Sequence, residues 1–219
     1  MIIDLISDLH GFYPNLSDGD LLIVAGDLTG RDTEKQHAEF AYWLEKQEYL
    51  KKIVIAGNHD NLMQNVGKFY AEKMFPDAIY LEDSGTEFEG LKIWGSPWSK
   101  TFEGMNPHCK AFTCDTEEKL SEKWALIPDD IDILITHSPP YGILDLVEKI
   151  SFDKPNDHKF KGSISLRNKV LSEFRKIHVF GHIHECGGHM IDTFGCKFIN
   201  ASHVNEKYEP VNKPIRLIL

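Results

Sequence analysis

The 219-residue chain is predicted to fold as an α/β domain, and three observations carry that expectation. Short apolar runs rich in β-branched residues read as strands buried on both faces: Ile2–Ser7, Leu21–Ala25, Ile53–Ala56, Ile131–Ile135 and Ile177–Phe180. Stretches with amphipathic helical spacing lie between several of them. Each run also ends in polar residues able to do chemistry, and open α/β sheets bind ligands at the carboxyl ends of their strands.

Taken in order, Ile2–Ser7 leads into Asp8-Leu9-His10-Gly11. Asp8 and His10 are two apart, so in extended backbone they project to the same side. Leu21–Ala25 ends in Gly26-Asp27. Thr33 and Gln36 match a capping box, and Phe40, Ala41, Trp43 and Leu44 give the helix that follows its apolar face. The central stretch, K-K-I-V-I-A-G-N-H-D at 51–60, is a strand released by Gly57 into Asn58, His59 and Asp60. A second helix is expected over 62–75, stopped by Pro76.

Ile79–Leu81 and Leu91–Trp94 read as strands, the latter rising from a turn at Glu89-Gly90. Residues 97–115 are irregular and carry Trp98, Phe102 and Phe112, a length that suits a functional rim. Asp115 is expected to cap a third helix, with Glu118 three positions on and Pro128 closing it. Ile131–Ile135 ends in Thr136-His137-Ser138-Pro139-Pro140. A second polar loop at 151–162 holds Lys154, His158, Lys159 and Lys161, and Leu166, Val170, Leu171 and Phe174 then form one helix face. Ile177–Phe180 ends in Gly181-His182-Ile183-His184, with closing strands at Lys197–Ile199 and Ile215–Leu219. No repeat, low-complexity tract or linker interrupts this order, so one domain over 1–219 is expected.

Hydrophobic residues are 42% and charged residues 26% of the chain, the range of soluble globular proteins. No apolar run approaches the roughly 20 residues of a membrane span, and the N-terminus lacks the basic start of a signal peptide. A cytoplasmic protein without membrane contact is expected. Lys plus Arg is 24 against 34 Asp plus Glu, a net charge of −10. Such a surface repels phosphate backbones, which argues against stable nucleic-acid binding, though not against a small anion at a locally positive site. The four cysteines, at 109, 114, 186 and 196, form no C-x-x-C pair and suit reduced thiols.

The five strand ends together offer Asp8 and His10, Asp27, Asn58 and His59, His137, and His182 and His184. Alone, each has an ordinary reading: a turn, a cap or a satisfied core histidine. Five such accidents at five strand ends are improbable, and a joint metal site follows. Two carboxylates, several imidazoles and an amide oxygen, with no thiolate, suit Mn, Fe, Zn or Ni. The set is large enough for two divalent ions if one carboxylate bridges them. Two ions about 3.5–4 Å apart activate a hydroxide and stabilise a phosphoryl transition state. Two carboxylates against two dications leave a local charge of about +2, which holds an anion in an acidic protein.

D-x-H at 8–10, G-D at 26–27, G-N-H-D at 57–60, T-H at 136–137 and G-H-x-H at 181–184 resemble, in order, the blocks of the calcineurin-like metallophosphoesterases. I-Y-L-E-D-S, G-S-P-W, K-W-A-L-I-P, I-D-I-L-I-T-H-S-P-P, H-V-F-G-H-I-H-E and I-N-A-S resemble a narrower group. That group contains small metallophosphoesterase-domain proteins of animal brain type and class III cyclic-nucleotide phosphodiesterases. The resemblance implies a β-sandwich of two mixed sheets flanked by helices. It implies one metal on Asp8, His10, Asp27 and His184, and a second on Asp27, Asn58, His137 and His182. His59 would face the substrate phosphate as a catalytic residue. The implied activity is hydrolysis of small phosphodiesters, cyclic nucleotides above all, by a metal-held hydroxide, with Mn the favoured metal. A phosphomonoesterase, a protein phosphatase or a metal-bound regulatory scaffold are the alternatives. Oligomeric state is not legible.

The other histidines are read as structural or solvated: His178 as packing inside a strand, and His37 as an exposed helix residue. His108, His158, His189 and His203 fall in or near loops and receive no role. Cys186, two residues past His184, is a conceivable but disfavoured ligand. Aromatic rings of the 97–115 loop are expected to stack a nucleobase.

Overall fold

A computed structural model describes residues 1–101, 106–147, 159–172 and 176–219. The first half of the chain supplies β1 (Ile2–Ile6), β2 (Gly19–Ala25), α1 (Glu34–Glu45), β3 (Tyr49–Ile55), α2 (Asn61–Val66), α3 (Lys68–Met74), β4 (Ile79–Tyr80), β5 (Ser84–Phe88) and β6 (Leu91–Ser96). There follow β7 (Ser99–Lys100), β8 (Thr113–Cys114), α4 (Glu117–Trp124), β9 (Ile133–Thr136), α5 (Ile164–Leu171), β10 (Ile177–Phe180), β11 (His189–Thr193), β12 (Cys196–Asn200) and β13 (Ile215–Ile218).

Two mixed sheets result, in the strand orders β13-β1-β2-β3-β4 and β11-β12-β10-β9-β6-β5. Strands β1 to β4 run parallel with β13 antiparallel at the edge, and β12, β10, β9 and β6 run parallel between the antiparallel edges β11 and β5. Alternating residues point to opposite faces of a strand, and both faces are covered here. Ile3, Leu5, Ile23, Ile53 and Ile55 meet Ile93, Ile133, Ile135, Val179 and Ile199 between the sheets. Leu22, Val24 and Val54 point the other way, onto Phe40, Leu44, Met63 and Phe75 of the helical layer. The outer face of the second sheet packs Leu134, Phe180 and Phe198 on Leu120, Trp124, Leu166 and Val170. These double-sided contacts explain why the strands read as continuous apolar runs rather than as alternating ones.

Helix α1 begins as expected, with the Thr33 hydroxyl accepting from Gln36 N at 3.3 Å. The capping box is only half formed, because Gln36 Oε1 accepts from Arg31 N at 2.7 Å. His37 is a correction: it is fully buried, with Nε2 2.8 Å from Asp32 Oδ1. The expected third-helix cap is also displaced by one residue. Thr116 caps α4 through Lys119 N, while Asp115 pairs with the Lys119 ammonium.

The helix expected over 62–75 is two helices, broken at Gly67, whose φ is 76° and ψ 159°. Glu89 and Gly90 both take positive φ and close the hairpin of β6 with β5, a strand the sequence did not announce. Its half-exposed, polar residues carry no apolar run. Strand β11 is likewise unexpected from sequence: it is an exposed edge, and it holds His189. Within the 97–115 stretch, β7 and β8 pair in parallel. On α5, Leu166 and Val170 are buried but Leu171 faces out. Phe102, Lys154, His158 and Phe174 lie outside the described residues.

The Gly67 conformation is one that essentially only glycine adopts, and a Cβ there would meet no atom within 4 Å. Gly67→Ala should therefore cost about 1–3 kcal/mol from the backbone alone. Urea unfolding measures this; unchanged stability would mean that the helix break is not held by glycine.

Candidate metal centre

The carboxyl ends of β1, β2 and β3 from one sheet and of β9 and β10 from the other open at the same place. Ser7 N donates to Ala201 O at 2.8 Å and locks the two sheets together there. All seven residues expected to ligate metal, and His59, converge at this point.

Asp8 directs its two oxygens differently. Oδ2 accepts from Ser202 Oγ at 2.7 Å and from His182 N at 2.9 Å, while Oδ1 lies 3.1 Å from His184 Nε2. Asp27 Oδ1 accepts from His59 N at 2.9 Å. Its Oδ2 faces three imidazoles: His137 Nε2 at 3.4 Å, His10 Nε2 at 3.6 Å and His59 Nε2 at 3.9 Å. Asn58 Nδ2 donates to Cys109 O at 3.1 Å, which turns Oδ1 toward His137 Nε2 at 2.9 Å and His182 Nδ1 at 2.8 Å.

Backbone strain accompanies this convergence. Asp8, His10, Asp27 and His182 have φ of 49°, 44°, 53° and 68°, a region that non-glycine residues rarely occupy. Gly181 is needed for close approach, because a Cβ there would collide with the Asp8 carboxylate and the Ser7 hydroxyl. Gly57 likewise leaves room for Asp27 and His137.

The electrostatics describe a site built for cations. Burial alone would raise both aspartates, but His184 and His137 beside Asp8, and His137 and His59 beside Asp27, hold them well below the usual carboxylate range. Burial lowers His10 to about 4 and His182 to about 3, so both stay neutral and keep a lone pair to give. His137 goes the other way: burial would lower it, yet Asp27 carries it to about 9. Its Nδ1 lies 3.0 Å from Ala25 O and donates there, so Nε2 faces Asp27 and Asn58. Between those oxygens, positive charge is favoured. A metal ion can take the place of a proton there, since ligands bind metal deprotonated.

The donor set fits divalent ions. Asp8, His10, Asp27 and His184 offer ligand atoms all within 4.8 Å of one another. His10 Nε2 and His184 Nε2 face each other at 3.4 Å, an arrangement that a cation between lone pairs satisfies. Cys186 is not part of this set; its thiol points to Leu146 O at 3.6 Å.

Several supporting residues were not singled out from sequence. Asp60, fully buried, accepts from the backbone N–H groups of Asp27 (3.0 Å) and Gly57 (2.7 Å) at Oδ2, and of Leu28 (3.0 Å) at Oδ1. It ties the β2 loop to the β3 loop; burial, with Asp27 nearby, raises its carboxyl to about 7. Asn200 donates to Ile183 O at 2.9 Å and shapes the His182–His184 turn. Cys109 Sγ lies 3.4 Å from His59 Nδ1, which leaves Nε2 facing the cluster. Tyr208 packs over the histidines. Asp60 and Ser202 fall inside quoted blocks, whereas Cys109 and Tyr208 gave no signal because distant loops deliver them.

The stacking expectation is corrected for Trp98 and Phe112. Phe112 is buried in the core, and Trp98 Nε1 donates to Asp83 Oδ2 at 2.7 Å with Lys123 over its ring, so neither ring is offered to a ligand. Beside the cluster is a cavity of about 760 Å³ lined by His10, His59, Arg31, Asn61, Cys109 and Tyr208 among others, and by neither Lys159 nor Lys161.

Two mixed sheets thus bring carboxylates and histidines able to hold a metal together at their joined carboxyl ends. The chain belongs to the calcineurin-like phosphoesterase family, whose model matches residues 1–186. It is 37% identical over 235 residues to metallophosphoesterase domain-containing protein 1 of Homo sapiens, covering 96% of this chain and 68% of that protein. Among solved structures it is similar to phosphopantetheinyl hydrolase (PptH) from Mycobacterium tuberculosis, at a TM-score of 0.61 and 18% identity, over 94% of this chain and 90% of that one. TT1561 of Thermus thermophilus gives a TM-score of 0.59 at 14% identity, over 91% and 88%. Both structures attest the fold. No helix among the described residues is long and apolar enough to cross a membrane.

Removing the Asp60 carboxyl leaves three buried N–H groups without acceptors, at about 1–3 kcal/mol each. Asp60→Ala should therefore lower the melting temperature and weaken metal retention, although Asp60 is not among the seven residues expected to ligate metal. Wild-type melting and full metal loading in this variant would show that the strut is dispensable.

Proposed function

We propose that residues 1–219 form a single cytoplasmic phosphodiesterase domain that uses two divalent ions, Mn favoured, to hydrolyse small phosphodiesters, with cyclic nucleotides as the leading class. The observation that carries this reading is Asp27 Oδ2, which faces His10, His137 and His59 at 3.6, 3.4 and 3.9 Å. One anionic oxygen that faces His10 of one proposed ion site and His137 of the other supports a bridging carboxylate.

Asp8, His10, Asp27 and His184 would hold one ion; Asp27, Asn58, His137 and His182 would hold the other. Ions bound there supply Lewis acidity at phosphoryl oxygens and an acidic water. The chain's own residues supply the rest. The Asp27 carboxylate aligns His59 by accepting its backbone N–H, and the Cys109 thiol lies against its Nδ1. Nε2 is thereby turned to the cluster, where it gives a proton to the departing oxygen. Asp8, held by Ser202 and by the His182 backbone, keeps His184 in place.

A cavity of about 760 Å³ suits a small substrate. The net charge of −10 and the absence of a basic stripe in the sequence disfavour long polynucleotides. Four cysteines in the thiol form accord with a reducing compartment. A hydrolysis panel with added Mn tests the substrate class: 2′,3′- and 3′,5′-cyclic nucleotides should be cleaved faster than phosphomonoesters or single-stranded DNA. Faster turnover of p-nitrophenyl phosphate would favour a phosphomonoesterase.

Metal analysis of Mn-saturated protein should approach two ions per chain. Asp27→Ala should weaken both sites together, whereas Asn58→Ala should weaken mainly one. Tight binding of two ions by Asp27→Ala would remove the bridge from the proposal.

His59→Ala should keep its metals and lose about 10²–10⁴-fold in rate, the usual worth of general acid catalysis. The loss should be larger for an alkoxide leaving from a cyclic nucleotide than for p-nitrophenolate, which needs little protonation. Equal losses on both would assign His59 to charge stabilisation, and lost metal would make it a ligand.

A further inference from the structure

Tyr208 lies beyond residues 1–186, the extent of the family match, and belongs to none of the sequence blocks that mark the metal centre. It sits in a built turn. A bridge between Val204 and Pro210 closes the stalk, and His203 N donates to Ser7 O at 2.8 Å, fastening it to the end of β1. Asn205 pins the tip: its O accepts from Tyr208 N at 2.9 Å, and its Oδ1 accepts from Lys207 N and Glu209 N at 2.9 Å each. Asn205 Nδ2 also donates to Glu209 Oε2 at 2.8 Å.

The turn holds Tyr208 at φ 61°, in the left-handed region. Such strain in a bulky residue persists only where neighbours over-determine it, and it clusters at functional positions. The ring stands over the metal centre. Its centroid is 4.8 Å from that of His10, 5.1 Å from His184 and 6.3 Å from His59, edge-on or tilted to each. Tyr208 remains 47% exposed and lines the cavity of about 760 Å³. Phe12, 43% exposed, lines the same cavity.

We propose that Tyr208 is the specificity-determining ring platform of this site, taking by stacking the planar base of a nucleotide whose phosphate lies at the histidine–carboxylate cluster. The proposal rests on the phosphoesterase reading above for the place of the phosphate. It adds what that reading lacks: a surface for the part of the substrate that is not hydrolysed. The pairing is sequence-tolerant, because every base presents a π-face.

Calorimetric titration of the Mn-loaded full chain with adenosine 5′-monophosphate and with inorganic phosphate separates ring from phosphate. The unsubstituted protein should bind the nucleotide more tightly than phosphate. Tyr208→Ala should weaken the nucleotide about ten-fold and phosphate much less, and Tyr208→Phe should restore nucleotide affinity. Asn205→Ala, which keeps the ring but unpins it, should lose the same preference in part.

Equal weakening of both ligands by Tyr208→Ala, unchanged nucleotide affinity, or failure of Tyr208→Phe to restore it would each overturn the platform. So would a wild-type chain with no preference for the nucleotide. Failure of the hydrolytic reading looks different: the preference and its loss in Tyr208→Ala persist, yet no phosphoester is cleaved.

Discussion

A carboxylate buried as completely as Asp27 is tolerated only where opposite charge or hydrogen bonds surround it, and much of the site follows from meeting that condition. One oxygen is satisfied by the His59 backbone; the other is left to three imidazoles. The Asp27 backbone is in turn held by Asp60, which also holds Gly57 at the opposite loop. Two strand ends are thus joined through buried carboxylates before any ligand is considered. The second sheet enters through His137, fixed by its Nδ1 on Ala25 O.

Holding so many polar groups at one point strains the chain. Four expected ligands take left-handed backbone, and Gly57 and Gly181 leave no space for a side chain. Each such residue costs on the order of 1–3 kcal/mol. The packing that sustains this lies directly beneath. Strands whose apolar residues are buried on both faces form a rigid base, so the strain is concentrated in the loops above them.

For a chain of net charge −10, the proposed anionic substrate requires that the surface field be separated from the local one. Here the separation is geometric. Two carboxylates and a ring of histidines form a pocket for cations at the sheet ends, and the cavity beside it carries Arg31 and Asn61 rather than an acidic wall alone. Salt screens fields beyond roughly 8–10 Å, so the acidic surface does little to a small ligand already at the cluster.

Local sequence determined the elements with double-sided burial or a strong cap: β1, β2, β3, β9, β10 and the start of α1 lie where the apolar runs and Thr33 place them. It also placed the candidate donor residues, because strand ends project their next residues toward a common rim. Edge strands β5, half-exposed and polar, and β11, exposed along most of its length, left no long apolar run to read. The burial of His37 and the withdrawal of Trp98 and Phe112 into the fold depend on neighbours far along the chain. So do Cys109 beside His59 and Tyr208 over His10, since each contact is made by a loop whose own sequence is indifferent to it. Periodicity and capping act over a few residues and can be read from them. Which distant loops meet at the mouth of the site is decided by how the two sheets pack, and only the tertiary structure contains that.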